Sequence, residues 1–275
     1  MVYIAPAALQ RMKRTQQLLT QLHPQGPAQA VLVPGSPEPH GHLIIFTGSF
    51  NPPTMAHLAM LKRAHEYARE HGDMHIYAAF TKQTINKEAV ERPLLLDRLL
   101  LLQRLLRRRL PTAGIMLFNR GLYVEQAQAL RASFRHIQRI HFLIGFDKIV
   151  QILDPRYYDD RDASLEELFS QAELLVVPRG NDGVAELAQL LALPQNQRFA
   201  QYIHGIPFRT DYRYVSSTQV RQGGNASDAE VPQEVRRFMR MTRAYAPPMQ
   251  RHDGTSVDVY QQRVQALEQL LGPLV

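Results

Sequence analysis

From Leu43 onward, short apolar runs alternate with longer stretches whose apolar residues recur at helical spacing, and this alternation constrains the fold more than any other feature of the 275 residues. Runs over 43–47, 75–80, 115–118, 139–145 and 173–177 predict strands. Between and around them, 55–70, 92–109, 123–134, 164–170 and 232–242 predict amphipathic helices, and 198–204 predicts a further extended segment. Strands separated by helices of this length cannot be hairpins. They predict an α/β chain with a doubly wound parallel sheet and right-handed crossovers.

Both ends look different. Residues 1–42 carry Leu9, Met12, Leu18, Leu19 and Leu22 at roughly helical spacing, followed by Pro24, Pro27, Pro34, Pro37 and Pro39, which argue against regular structure. One helix and a proline linker are expected. The helix is basic (Arg11, Lys13, Arg14) with no acid before Glu38, a pattern shared by docking helices and organellar transit peptides, and its low serine content counts against the latter. The main domain is expected over 43–244. Residues 245–275 break at Ala246-Pro247-Pro248 and end in a helix over 257–271, striped by Val259, Val264, Leu267, Leu270 and Leu271.

Composition narrows the chemistry. The chain has no cysteine, which excludes a disulfide framework, an Fe–S cluster, a thiolate zinc site and a cysteine nucleophile. The longest apolar run, over 94–102, is interrupted by Asp97 and Arg98 and is far shorter than the ~20 residues a bilayer requires. No membrane span is expected. The first ten residues lack the pattern of a secretory signal, so the expected compartment is cytoplasmic or matrix. A net charge of +7 suits a polyanionic ligand. The densest basic run, Arg107-Arg108-Arg109, closes a leucine-rich helix where cations complement the dipole, and it lacks the interleaved aromatics of a nucleic-acid face. His40-Gly41-His42 has no third ligand nearby, so no metal site of the protein's own is expected.

The first strand runs into Gly48-Ser49-Phe50-Asn51-Pro52-Pro53-Thr54-Met55-Ala56-His57. Glycine permits a tight turn, paired prolines pre-set a helix start, and the unpaired amides of that start attract anions. Thr54 and His57, three apart, can face one phosphate. Far downstream, Ser216-Ser217-Thr218-Gln219-Val220-Arg221 places hydroxyls at a helix start and a guanidinium four residues after Ser217. Taken singly, a histidine early in a helix is more often structural, and the second string reads as a helix cap.

Together, in this order, the two strings resemble the paired signatures of the nucleotidyltransferase superfamily, with Gly48, Phe50, Pro52, Thr54 and His57 matching the first and Ser216, Ser217, Thr218 and Arg221 the second. Ala56 stands where the family usually has glycine. Gly145-Phe146-Asp147 resembles the glycine-x-aspartate of the pyridine-nucleotide adenylyltransferases, Arg179 follows a matching strand, and Val231-Pro232 opens a similar final helix.

The resemblance implies a Rossmann-like fold with extra terminal helices. It also implies an ATP site of Gly48, Ser49, Phe50, Thr54, His57, Gly145, Asp147, Ser216, Ser217, Thr218 and Arg221. The implied acceptor site comprises Ser49, Lys87, Tyr157, Tyr158 and Arg179, with Lys82 the competitor of Lys87. The implied reaction joins AMP from ATP to nicotinamide or nicotinate mononucleotide, with Mg²⁺ accompanying ATP, in NAD biosynthesis. His57, Arg221 and Lys87 are the implied catalytic residues. A sister transferase acting on another phosphorylated acceptor such as phosphopantetheine, or a non-catalytic nucleotide-binding protein, is the alternative, and self-association is left open. The family's stacking tryptophan cannot exist in a chain without tryptophan, and Tyr157 or Tyr158 would take its place.

Overall fold

The computed structural model describes residues 6–82, 92–178, 183–208, 211–222, 230–252 and 254–274. In chain order the elements are α1 (Pro6–Gln21), β1 (Ala30–Leu32), β2 (Gly41–Thr47), α2 (Met55–His71), β3 (Met74–Thr81), α3 (Leu95–Arg109), β4 (Gly114–Phe118), α4 (Tyr123–Ser133) and β5 (Ile137–Gly145). They continue with α5 (Phe146–Leu153), α6 (Arg161–Gln171), β6 (Ala172–Val177), α7 (Val184–Ala192), β7 (Ile203–Gly205), α8 (Ser217–Gln222), α9 (Gln233–Thr242), a small β8–β9 hairpin (Met249–Gln250, Ser256–Val257) and α10 (Val259–Leu271). Among the described residues seven strands form one sheet in the order β1-β4-β3-β2-β5-β6-β7, parallel except for β1 against β4.

The burial of β2 shows why the sheet is doubly wound. Ile44 and Phe46 join the core on one face with α1, α2 and α3, whereas Leu43 and Ile45 join the opposite core with α4, α5, α6 and α7. Side chains alternate across a strand, so a run apolar at every position must be covered on both sides. The order around β2 and β5 reverses the direction of winding. Ligands of open α/β sheets sit at the carboxyl ends of such a strand pair.

Two features of the chain ends depart from expectation. The proline-rich segment contains β1, because 28–33 lacks proline and an edge strand needs partners on one side only. Leu19, Leu22 and Val33 are fully buried in the α1/α2/α3 core, so α1 docks on the sheet layer. The linker is held as well. The buried Tyr77 ring reaches across position 114, where a Cβ would stand 2.5 Å from it, and its hydroxyl donates to the Pro37 carbonyl at 3.0 Å. At the other end α10 packs against the N-terminal turn of α3 through Tyr260 and Arg263. No helix among the described residues is long and apolar enough to cross a membrane.

Candidate active site

Gly48 follows β2 and Gly145 ends β5, so the two glycine motifs stand at the carboxyl edge of neighbouring strands. The reason for glycine at 48 differs from the expected tight turn. Its backbone is ordinary, but a Cβ there would lie 3.2 Å from the Phe50 ring, which folds back over it. Phe50 itself adopts φ +42°, a region that costs a residue with a side chain about 1–3 kcal/mol. Burial of its ring against Phe46, His57 and Phe80, with centroids at 5.5, 5.1 and 5.1 Å, offsets that cost. The ring is fully buried, so a nucleotide would meet Phe50 through its backbone.

Thr54 caps α2 and is also fully buried. Its backbone N–H donates to His57 Nδ1 at 3.0 Å, its hydroxyl lies 2.8 Å from the same nitrogen, and that hydroxyl accepts from the His57 N–H at 3.4 Å. An amide can only donate, so Nδ1 is the acceptor and the ring proton of neutral His57 sits on Nε2. Thr54 therefore holds the His57 ring in place, with its hydroxyl engaged by His57. The helix start is also less open than expected. Met55 N–H donates to the Glu230 carbonyl at 2.8 Å and the His57 N–H is taken by Thr54, leaving the Ala56 amide in the first turn for an anion.

The second motif reaches back to the first across the length of the domain. Ser217 Oγ donates to the Pro52 carbonyl at 2.8 Å, and the Arg221 guanidinium donates to the Asn51 carbonyl and, at 3.1 Å, to Thr218 Oγ1. Ser216 has the cap role, accepting from the Gln219 N–H at 3.2 Å while the Gln219 side-chain carbonyl accepts from the Ser216 N–H at 3.0 Å. His57, Ser217 and Arg221 are thus joined through one loop, with Thr218 exposed at its edge.

Two residues from outside the motifs, Arg98 and Tyr245, brace that loop. Arg98 from α3, 8% exposed, donates to the Ser49 carbonyl at 3.0 Å, and desolvation lowers its pKa. Asn51 is buried, and its side-chain carbonyl accepts from the Tyr245 hydroxyl at 2.7 Å. Asp97 next door receives Arg263 at 2.6 and 3.1 Å and the Tyr260 hydroxyl at 2.9 Å. The Asp97-Arg98 pair stands out in the sequence as charge inside a leucine-rich run, on the helix where related adenylyltransferases carry an arginine behind the phosphate-binding loop. Asn51 and Tyr245 give no such signal.

The remaining expected site residues fall into separate groups. Gly145 is the cap of α5, and Asp147, exposed, lies inside the first turn, so its carboxylate is not the N-cap. Tyr158 is a packing residue. Its hydroxyl donates to the Ile152 carbonyl at 2.7 Å, it packs on the β5/β6 core, and burial pushes its pKa up to about 12. Tyr157, at 39% exposure, is the tyrosine with a free face. Lys82 donates to the Leu19 carbonyl at 2.6 Å, in the last turn of α1, where a cation satisfies an orphan carbonyl. Lys87 and Arg179 lie outside the described residues.

This arrangement offers a donor on Nε2 of His57, an amide at a helix start, and a serine and an arginine on the facing helix, all suited to a chain of phosphates. Comparison with known proteins agrees. One relative, from Schizosaccharomyces pombe (strain 972), is named "Putative nicotinamide mononucleotide adenylyltransferase" and is 24% identical over 220 residues, covering 74% of this chain and 86% of its own. Residues 45–223, which run from within β2 through the second motif, match the cytidylyltransferase-like family. The chain belongs to that family of nucleotidyltransferases.

Proposed function

We propose that this nucleotidyltransferase adenylylates a pyridine mononucleotide, nicotinamide or nicotinate, using ATP. The observation that carries the reading is the joining of the two motifs at one loop, with Ser217 and Arg221 on the Pro52 and Asn51 carbonyls beside the capped His57. The family and the name of the yeast relative support it, as does Asp147 at the end of the neighbouring strand, where a carboxylate can accept from ribose hydroxyls.

A phosphate oxygen of the mononucleotide attacks the α-phosphorus of ATP in line. A new P–O–P link forms, the bond between the α-phosphorus and the bridging oxygen breaks, and pyrophosphate leaves with the electron pair. The attacking phosphate is already anionic near neutral pH, so no strong base is required. His57 donates from Nε2 to an α-phosphate oxygen as charge builds there, and Ser217 and Arg221 hold the β and γ groups. Around this end the side chains are cations and hydroxyls, with Asp147 the exposed carboxylate of the neighbouring motif. That donor set fits a magnesium ion carried in by the phosphates and not an all-protein cage. When bound, Mg²⁺ neutralises phosphate charge.

Pyrophosphate release measured with ATP and, separately, nicotinamide mononucleotide, nicotinate mononucleotide, phosphopantetheine and no acceptor tests the reading. Turnover is expected with one or both pyridine mononucleotides. Release with phosphopantetheine alone, or with none of them, overturns it.

A further inference from the structure

Helices α3 and α9 meet through Leu101, Val231 and Val235, and beside this apolar contact lies an open groove of about 890 Å³. Six arginines line it: Arg104 and Arg108 from α3, Arg236, Arg237 and Arg240 from α9, and Arg243 at the α9 C-cap. The pairs 104/108 and 236/240 are spaced four residues apart, so like charges face each other on both helices, an arrangement that costs helix stability. The carboxylate lining the groove, Glu234, is buried and tied to Arg108 at 3.2 Å and to Arg109 at 3.8 Å. Arg104, Arg237 and Arg240 make no ion pair with any described residue. An anion with several charged oxygens, to which each planar fork can donate two bonds, would compensate such a convergence of guanidiniums.

The lining narrows the ligand. The groove is open and rich in arginine. Tyr245, the aromatic residue lining it, is half-buried and gives its hydroxyl to Asn51, so stacking platforms for successive bases are missing among the described lining residues. Thr54, His57, Ser217 and Arg221 do not line the groove, although Tyr245, which does, connects it to the candidate site through Asn51. We propose that this groove is a second anion site, taking a polyphosphate chain either free or as the tail of a nucleotide. It stands independently of the proposed reaction.

Calorimetric titration of the full chain with tripolyphosphate, and separately with ATP, tests it. Arg221→Ala removes a contact at the candidate active site, and the double variant Arg104→Ala/Arg240→Ala removes two of the six guanidiniums lining the groove. Loss of two forks should weaken the Arg221-independent binding by at least about tenfold. Thermal unfolding of the double variant should be unchanged or shifted upward, because repulsion has been relieved. If the double variant does not unfold cooperatively, the single exposed Arg237→Ala serves in its place. A groove-dependent signal with tripolyphosphate identifies a free phosphate chain as sufficient, and one with ATP alone identifies a nucleotide tail. Binding of both probes at wild-type affinity in the groove variants, or no Arg221-independent binding at all, overturns the proposal.

Discussion

His57 can donate toward a phosphate because Thr54 occupies its other nitrogen, so the two residues should separate kinetically. His57→Ala should lower kcat by about a hundredfold or more, the scale for losing one preorganised donor, while the KM for ATP moves less. A near-wild-type kcat would remove His57 from the mechanism. Thr54→Val keeps the volume and deletes the hydroxyl, so it should cost about 1 kcal/mol of stability through the lost cap and should lower kcat with little change in the KM for ATP. Thr54→Ser should restore both, and failure of serine to do so would mean that the hydroxyl is not what matters. The tyrosines should separate as well. Tyr158→Phe removes a hydrogen bond to the Ile152 carbonyl and should cost about 1 kcal/mol of stability without altering either KM, whereas Tyr157→Ala should weaken the mononucleotide by roughly 1–2 kcal/mol if its exposed ring stacks on the pyridinium. Kinetics with each substrate varied in turn, beside denaturation curves, distinguish these outcomes.

Among the elements, α8 and α10 show what local sequence can and cannot reveal. The sheet was legible because each strand is apolar at consecutive positions and each helix on one stripe, signals contained within a dozen residues. Helix α5 escaped because it starts directly after β5 with no breaker between them, and β1 because three residues between prolines carry little pattern. The motif residues of α8 were legible, but their partners were not. The Ser217–Pro52 and Arg221–Asn51 contacts span 165 and 170 residues, and nothing local encodes them. Arg221→Ala should raise the KM for ATP and lower kcat, and lysine should rescue poorly because it lacks the planar fork that serves the Asn51 carbonyl and Thr218 together. Full rescue by lysine would reduce its role to a point charge. The C-terminal helix, which sequence places outside the domain, holds the α3 residue that precedes Arg98. Asp97 is buried and Arg263 about a third exposed, so Arg263→Ala should destabilise by about 2 kcal/mol or more, toward the lower side of the cost of stranding a buried charge. An unchanged unfolding midpoint would show that water replaces the guanidinium.

Two histidines outside the candidate site, His141 and His75, resist protonation in the folded molecule. His141, near the middle of β5, is 4% exposed and donates from Nδ1 to the Leu43 carbonyl at 3.3 Å. Burial pushes its pKa below the ordinary 6.5, with His204 and His42 acting in the same direction, and this outweighs the attraction of Glu173, whose carboxylate lies 3.6 Å from Nε2 but is also engaged by His204 at 2.9 Å. His75, packed edge-on against His40, is lowered in the same way by burial and by that neighbour. A histidine that resists protonation in the folded chain but accepts a proton freely once unfolded makes stability depend on pH with a fixed sign. Above the unfolded value the two states bind equally few protons and the stabilisation is complete; as pH falls through 6.5 the unfolded state gains protons that the folded state refuses, and stability is lost. Urea unfolding at pH values from about 7.5 down to about 5.5, above the range where most carboxylates titrate, should therefore show a falling midpoint. Deleting the buried imidazole separates its share from that of His75. His141→Leu removes the titrating group and keeps an apolar side chain between the two strands, so its midpoint should fall less steeply over the same interval, whatever its stability at pH 7.5. Parallel curves for the variant and the original chain would mean that His141 takes up a proton equally in the folded and unfolded states, so that the attraction of Glu173 cancels the cost of desolvation.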